Sequence, residues 1–168
     1  MADKAITGTN VQVLLDTIKT NMSGNYDLSP ATLASSSGDG WIYAEKDVTT
    51  SSGDLLATTE DFLGSVTGAG AIATGDKIPW IAIKHTGTSD GSTATSEGVV
   101  LCTDGGTAAY DLVDGIYLSS GELVVLKIPN TTVANFHVVT VAESSGKPSG
   151  AGSGNVRVRI AAILTNVG

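Results

Sequence analysis

The feature that most constrains this chain is a train of short apolar runs, many of them β-branched, each cut off by Gly, Ser, Asp or Asn. The train begins near residue 76 and continues almost to the last residue. Residues 78–84 alternate and are rich in Ile, residues 98–103 hold Val99, Val100 and Leu101, and residues 116–118 lead through Ser119-Ser120-Gly121 into 123–128. Residues 136–142 and 156–164 complete the series. Runs of this length, recurring every 10 to 20 residues or so, suit strands of a sandwich or barrel better than helices. At least five strands are expected here. Asp90-Gly91, Asp104-Gly105 and Asp114-Gly115 fall between the runs, and both residue types tolerate the positive φ of tight turns.

Composition agrees with that pattern. Charged residues are only 15% of the chain, well below the usual quarter or so, and Gly, Ser and Thr take their place. Thr fits a pleated, half-buried surface and Gly supplies turns, whereas helices favour Ala, Leu, Glu and Lys. The 21 glycines therefore argue against a helical bundle. A length of 168 residues suits one domain with an arm. The expected fold class is all-β: a β-sandwich or jelly-roll-like domain over residues 41–168, preceded by an N-terminal arm and connector over residues 1–40 that includes one short helix.

That helix is expected because Val11, Leu14, Leu15, Ile18 and Met22 recur at helical spacing, with Asn10 as an N-cap and Gly24 as a stop. Val11, Leu14, Leu15 and Ile18 are the candidate docking or subunit interface, and the competing expectation is that the stripe packs on the protein's own sheet. Pro30 and the Ser tract after it read as an exposed connector. Residues 41–44 look like a strand, with weaker candidates at 54–56 and 62–66. Residues 144–155, with four glycines, read as a flexible loop joining the last two strands. There is no internal repeat of fixed period, which disfavours a solenoid or propeller.

Charge narrows the partners. A formal charge of −8 opposes binding to a phosphate backbone, so no nucleic-acid partner is expected. The sequence holds neither an 18-residue apolar run nor a basic segment followed by an apolar one, so neither a membrane partner nor a cleaved signal is expected, and synthesis in a cytoplasm is. Cys102, the one cysteine, sits in an apolar run and reads as a small buried hydrophobe.

Several motifs invite a chemical reading, and each weakens in context. Gly87-Thr88-Ser89-Asp90-Gly91 matches the G-x-S-x-G elbow of serine hydrolases, with Asp104, Asp111 or Asp114 and then His137 in the right chain order. An elbow needs a helix after it, however, and residues 92–96 read as a loop. Residues 68–73 resemble a dinucleotide fingerprint without the surrounding βαβ unit. His85 and His137 lack metal-ligand spacing, and the Asp-Gly pairs lack the alternating carboxylates of a calcium loop. The sequons at Asn21 and Asn130 carry little weight without a secretory signal. Trp41, Trp80, Tyr110 and Tyr117 suit either core packing or a sugar-binding face. No enzymatic activity, cofactor or metal is expected.

The stretch Ile78-Pro79-Trp80-Ile81-Ala82-Ile83-Lys84-His85-Thr86-Gly87-Thr88-Ser89, the stretch Ser119-Ser120-Gly121-Glu122-Leu123-Val124-Val125-Leu126-Lys127-Ile128-Pro129-Asn130, and residues 136–141 carry a resemblance. Over about residues 76–168, the chain resembles the β-rich virion surface proteins of tailed bacteriophages, especially head decoration or knob-like proteins. The resemblance implies a β-sandwich assembled as a symmetric homo-oligomer, often a trimer, on the outside of a capsid, with the major capsid protein or other virion proteins as partners. It transfers no catalytic residues. The alternatives are a receptor- or carbohydrate-binding module of a tail or fibre, using loops such as 89–96, and, more remotely, a serine hydrolase at Ser89.

Overall fold

A computed structural model describes residues 6–15, 18–27, 40–56 and 72–165. The chain divides into two compact units, Met1–Leu33 and Ala34–Gly168. In the first, strands β1 (Ile6–Leu15) and β2 (Ile18–Asp27) pair antiparallel over their whole length. The expected helix over residues 11–22 is thus a β-hairpin. The apolar positions fit a helical stripe, but Thr7, Thr9, Val11 and Val13 also place a β-branched residue at every second position. Such side chains lose rotamer freedom in a helix and fit a strand. Asn10 and Gly24, read as helix punctuation, instead stand in the ladder opposite Ser23 and Thr9.

The second unit holds two antiparallel sheets. One has the order β3-β11-β5-β8, from β3 (Gly40–Val48), β5 (Lys77–His85), β8 (Leu123–Thr132) and β11 (Val156–Thr165). Period-two alternation explains β11: Val156, Val158, Ile160, Ala162 and Leu164 are buried, while Arg157 and Arg159 between them reach outward. The other sheet has the order β10-β9-β6-β7, from β6 (Gly98–Cys102), β7 (Ile116–Leu118), β9 (His137–Ser144) and β10 (Lys147–Ala151), and the short β4 (Gly53–Asp54) also pairs with β9. The all-β expectation holds, the expected runs becoming β5, β6, β7, β8, β9 and β11, and residues 41–44 lying within β3. A single 3-10 turn, Val133–Asn135, is the helical element among the described residues.

Both sheets contribute to one core. Ile42, Ile81, Ile83, Val158 and Ile160 from the first join Val99, Leu101, Leu118 and Val138 from the second, around a fully buried Phe136. Strand β6 is buried on both faces, because Val100 and Cys102 point into a second, smaller cluster with Ala108, Val139 and Val141. That double burial is why residues 98–102 form an unbroken apolar run rather than an alternating one.

Two further expectations are corrected. Residues 144–155 are not a flexible loop between strands: Lys147–Ala151 forms β10, paired back on β9 through the two-residue turn Ser145-Gly146. Both turn residues have positive φ, 55° and 75°, the geometry that matches the twist of a hairpin. Asp114-Gly115 also differs from the other Asp-Gly pairs. Gly91 and Gly105 take positive φ, but Gly115 does not; it is small because a Cβ there would lie 2.9 Å from Val100 Cγ1. Candidate strand 62–66, the connector around Pro30 and the fingerprint-like residues 68–71 lie outside the described residues.

Candidate functional site

The loop carrying Ser89 follows β5 and leads into β6, not into a helix. Its shape comes from Asp90, whose carboxylate accepts hydrogen bonds from the backbone N–H of Ser92 (2.8 Å) and Thr93 (2.7 Å) and from both hydroxyls. These donors, the Thr93 N–H foremost, hold the Asp90 carboxyl well below the usual carboxylate range. Ser89 closes the same turn, its N–H reaching Thr93 O at 2.8 Å and its hydroxyl donating to the same oxygen. His85, fully buried at the end of β5, ties down the loop base. Its Nδ1 accepts from Gly87 N–H and its Nε2 donates to Glu97 O, both at 2.9 Å. This is the neutral imidazole, and burial lowers its pKa.

His137 is engaged elsewhere. Its Nδ1 lies 2.6 Å from Gly106 O and its Nε2 lies 3.0 Å from Asp54 Oδ1, so the ring links β9, β4 and the loop after β6. The Cys102 thiol donates to Asp104 Oδ1 at 2.9 Å, and burial pushes that thiol up, away from the reactive thiolate. Asp111 and Asp114 are exposed in the loop between β6 and β7. The structure therefore does not hydrogen-bond Ser89 to a histidine, and the hydrolase constellation is not assembled among the described residues. Nor does any group of three His, Cys, Asp or Glu among the described residues stand ready to hold a metal ion.

The sheet surfaces offer a different kind of site. On the side of β3-β11-β5-β8 away from the core, cross-strand neighbours form two rows. Tyr43, Ala161, Ala82 and Val125 make one; Glu45, Arg159, Lys84 and Leu123 make the other. Tyr43 is 48% exposed and Leu123 61% exposed, and between them lies an almost wholly apolar depression of about 190 Å³ floored by Ala82 and Ala161. Charges rim it. Arg159 Nε meets Glu45 Oε1 at 2.7 Å, and Arg157 reaches Asp47 with two nitrogens and Glu45 at 3.6 Å. These carboxylates hold both guanidinium pKa values up.

A second concavity, of about 180 Å³, opens on the edge of β9. Two short strands share that edge, β4 opposite residues 137 and 138 and β10 opposite residues 141–144. Neither reaches Val139 and Thr140; on this edge Thr140 N–H donates to Thr49 O and Gly152 N–H donates to Thr140 O, and on the other edge both residues pair with β6. Thr107 to Tyr110 form the opposite wall.

The aromatic residues divide accordingly. Trp80 is buried in β5, and Tyr117 donates from its hydroxyl to Glu143 Oε2 at 2.6 Å, burial pushing its pKa up to about 12. Tyr110 is 45% exposed at the second concavity. Val11, Leu14 and Leu15 lie on β1 and Ile18 opens β2, where Leu15 pairs with Ile18 but Leu14 pairs with Lys19. A two-residue period thus splits the four positions that a helix would have aligned. Neither concavity was legible in sequence, because each is built from segments far apart in the chain.

The described residues thus form an all-β protein with a surface concavity on each of the two sheets of its second unit. No family model, curated protein or solved structure matches the chain.

Proposed function

We propose that this chain is a structural protein of a tailed-bacteriophage virion. It decorates or stabilises the capsid through symmetric contacts with copies of itself and with the major capsid protein, and it has no catalytic activity of its own. The observation that carries the reading is the outward face of the sheet β3-β11-β5-β8, where exposed Tyr43 and Leu123 flank an apolar floor inside a rim of paired charges. An apolar centre with a polar rim is the anatomy of a protein contact, and an exposed large aromatic beside a leucine is costly to leave in water. The virion resemblance of residues 76–168 supplies the setting, and a closed oligomer, a trimer foremost, is the assembly it favours.

The N-terminal hairpin is the second contact element, with Val11, Leu15 and Ile18, which share one side of the ladder, as its docking positions on the shell or on a neighbouring subunit, and Leu14 on the other side. The reading is tested by mixing the purified chain with undecorated phage heads and measuring co-sedimentation. Saturable binding at a fixed ratio per lattice site is expected; absence of binding overturns the capsid role. A chain lacking residues 1–33 is expected to lose head binding. Undiminished binding by that truncated chain would remove the hairpin from the docking surface.

A further inference from the structure

We propose that the concavity on the edge of β9 is a binding site for one neutral sugar unit of a glycan. The proposal is independent of the assembly reading, since its residues belong to the other sheet and its loops.

The site exists because of how the sheet is built. β4 and β10 share one edge of β9, and between them Thr140 bonds Thr49 and Gly152 rather than a strand, while Val139 and Thr140 pair with β6 on the other edge. The loop after β6 forms the facing wall, with Ala108 seated in the smaller core and its N–H bonded to Ser52 Oγ at 2.9 Å. Both walls are thereby fixed before any ligand arrives, which lowers the entropic cost of binding.

The lining chemistry selects the ligand. Thr50, Ser52, Thr107 and Tyr110 are hydroxyl-bearing residues of the lining, and among the described residues no Asp, Glu, Lys, Arg or His lines it. A site without charge gives no advantage to a phosphate, a carboxylate or an ammonium group. Hydroxyls both donate and accept, so they match a ligand that carries hydroxyls itself. Ser52 shows this: its oxygen is taken by Ala108 N–H, leaving its proton to donate. The Thr140 hydroxyl is buried in the wall behind Gly152, so the accessible hydroxyls are those of the other lining residues. Val139, Ala108, Ala109 and Ala151 add small apolar surface, and the half-exposed Tyr110 ring offers a face for the C–H side of a pyranose. A volume of about 180 Å³ accepts one six-membered ring, below the roughly 300 Å³ where pockets for drug-sized ligands begin.

The test is a titration of the full chain with methyl α-D-glucopyranoside, methyl α-D-mannopyranoside, methyl β-D-galactopyranoside and N-acetylglucosamine, each to about 100 mM, followed by methyl NMR shifts of Ala108, Ala109 and Ala151. At least one sugar is expected to saturate these signals with a dissociation constant on the order of 1–10 mM. Tyr110→Ala should weaken that binding roughly tenfold, and Thr107→Val about fivefold. Because the lining is uncharged, added salt should not alter the affinity. No saturable shift with any of the four sugars, or full affinity in a folded Tyr110→Ala protein, overturns the proposal.

Discussion

At the scale of single residues, the polar side chains that resemble catalytic groups act as ties. His85 is the clearest case, because its two nitrogens join Gly87 and Glu97 and fix both ends of the Ser89 loop at 2.9 Å. Burial holds its pKa below the ordinary 6.5, so the unfolded chain takes up a proton at higher pH than the folded chain does. The stability that neutral His85 confers is therefore complete above about pH 6.5 and is lost as pH falls toward the folded value, at no more than about 1.4 kcal/mol per pH unit. Urea unfolding at pH 7.5 and 5.5 should show the wild type losing more stability than His85→Gln, which keeps a donor for Glu97 but does not titrate. Equal losses in both proteins would show that His85 does not carry the effect. Residue type alone revealed part of this. A turn at Asp90-Gly91 was readable because Asp bonds its own following N–H groups and Gly takes positive φ. The role of Gly115 was not, since its reason is Val100, fifteen residues earlier and on another strand.

At the scale of elements, period-two patterning made the strands after residue 76 legible. β5 and β11 each bury one face, so burial and sequence repeat together there, while β6, buried on both faces, shows as an unbroken apolar run. The N-terminal hairpin is ambiguous in sequence, because Val11, Leu14, Leu15 and Ile18 satisfy a helical period while Thr7, Thr9, Val11 and Val13 satisfy a strand period. β10 was missed for a different reason: Lys147–Ala151 has almost no apolar signal, and what specifies it is the turn. Ser145-Gly146 closes the hairpin with both φ values positive. A Cβ at position 146 would meet nothing within 4 Å, so a substitution there strains only the backbone. Gly146→Val should lower stability by about 1–2 kcal/mol, read as a lower urea midpoint at unchanged slope. An unchanged midpoint would mean that the hairpin does not depend on its turn.

At the scale of the whole molecule, the second unit has an inside that both sheets share and outsides that differ. One outside is the apolar face at Tyr43 and Leu123; the other carries the small hydroxyl-lined concavity at Tyr110. Neither could be read from the chain, because the first is a row across β3, β11, β5 and β8 and the second joins segments near residues 50, 107, 140 and 151. The all-β class, by contrast, followed from local pattern alone. The proposed role as an assembling structural protein depends on the first face being an interface. Light scattering on the purified chain and on Leu123→Asp tests it most directly, since Leu123 is 61% exposed and the substitution leaves the core intact. The wild type should have a mass that is a small multiple of 16.9 kDa, and Leu123→Asp should fall to the monomer while keeping its fold. A monomeric wild type, or a Leu123→Asp protein that assembles as the wild type does, would contradict the account.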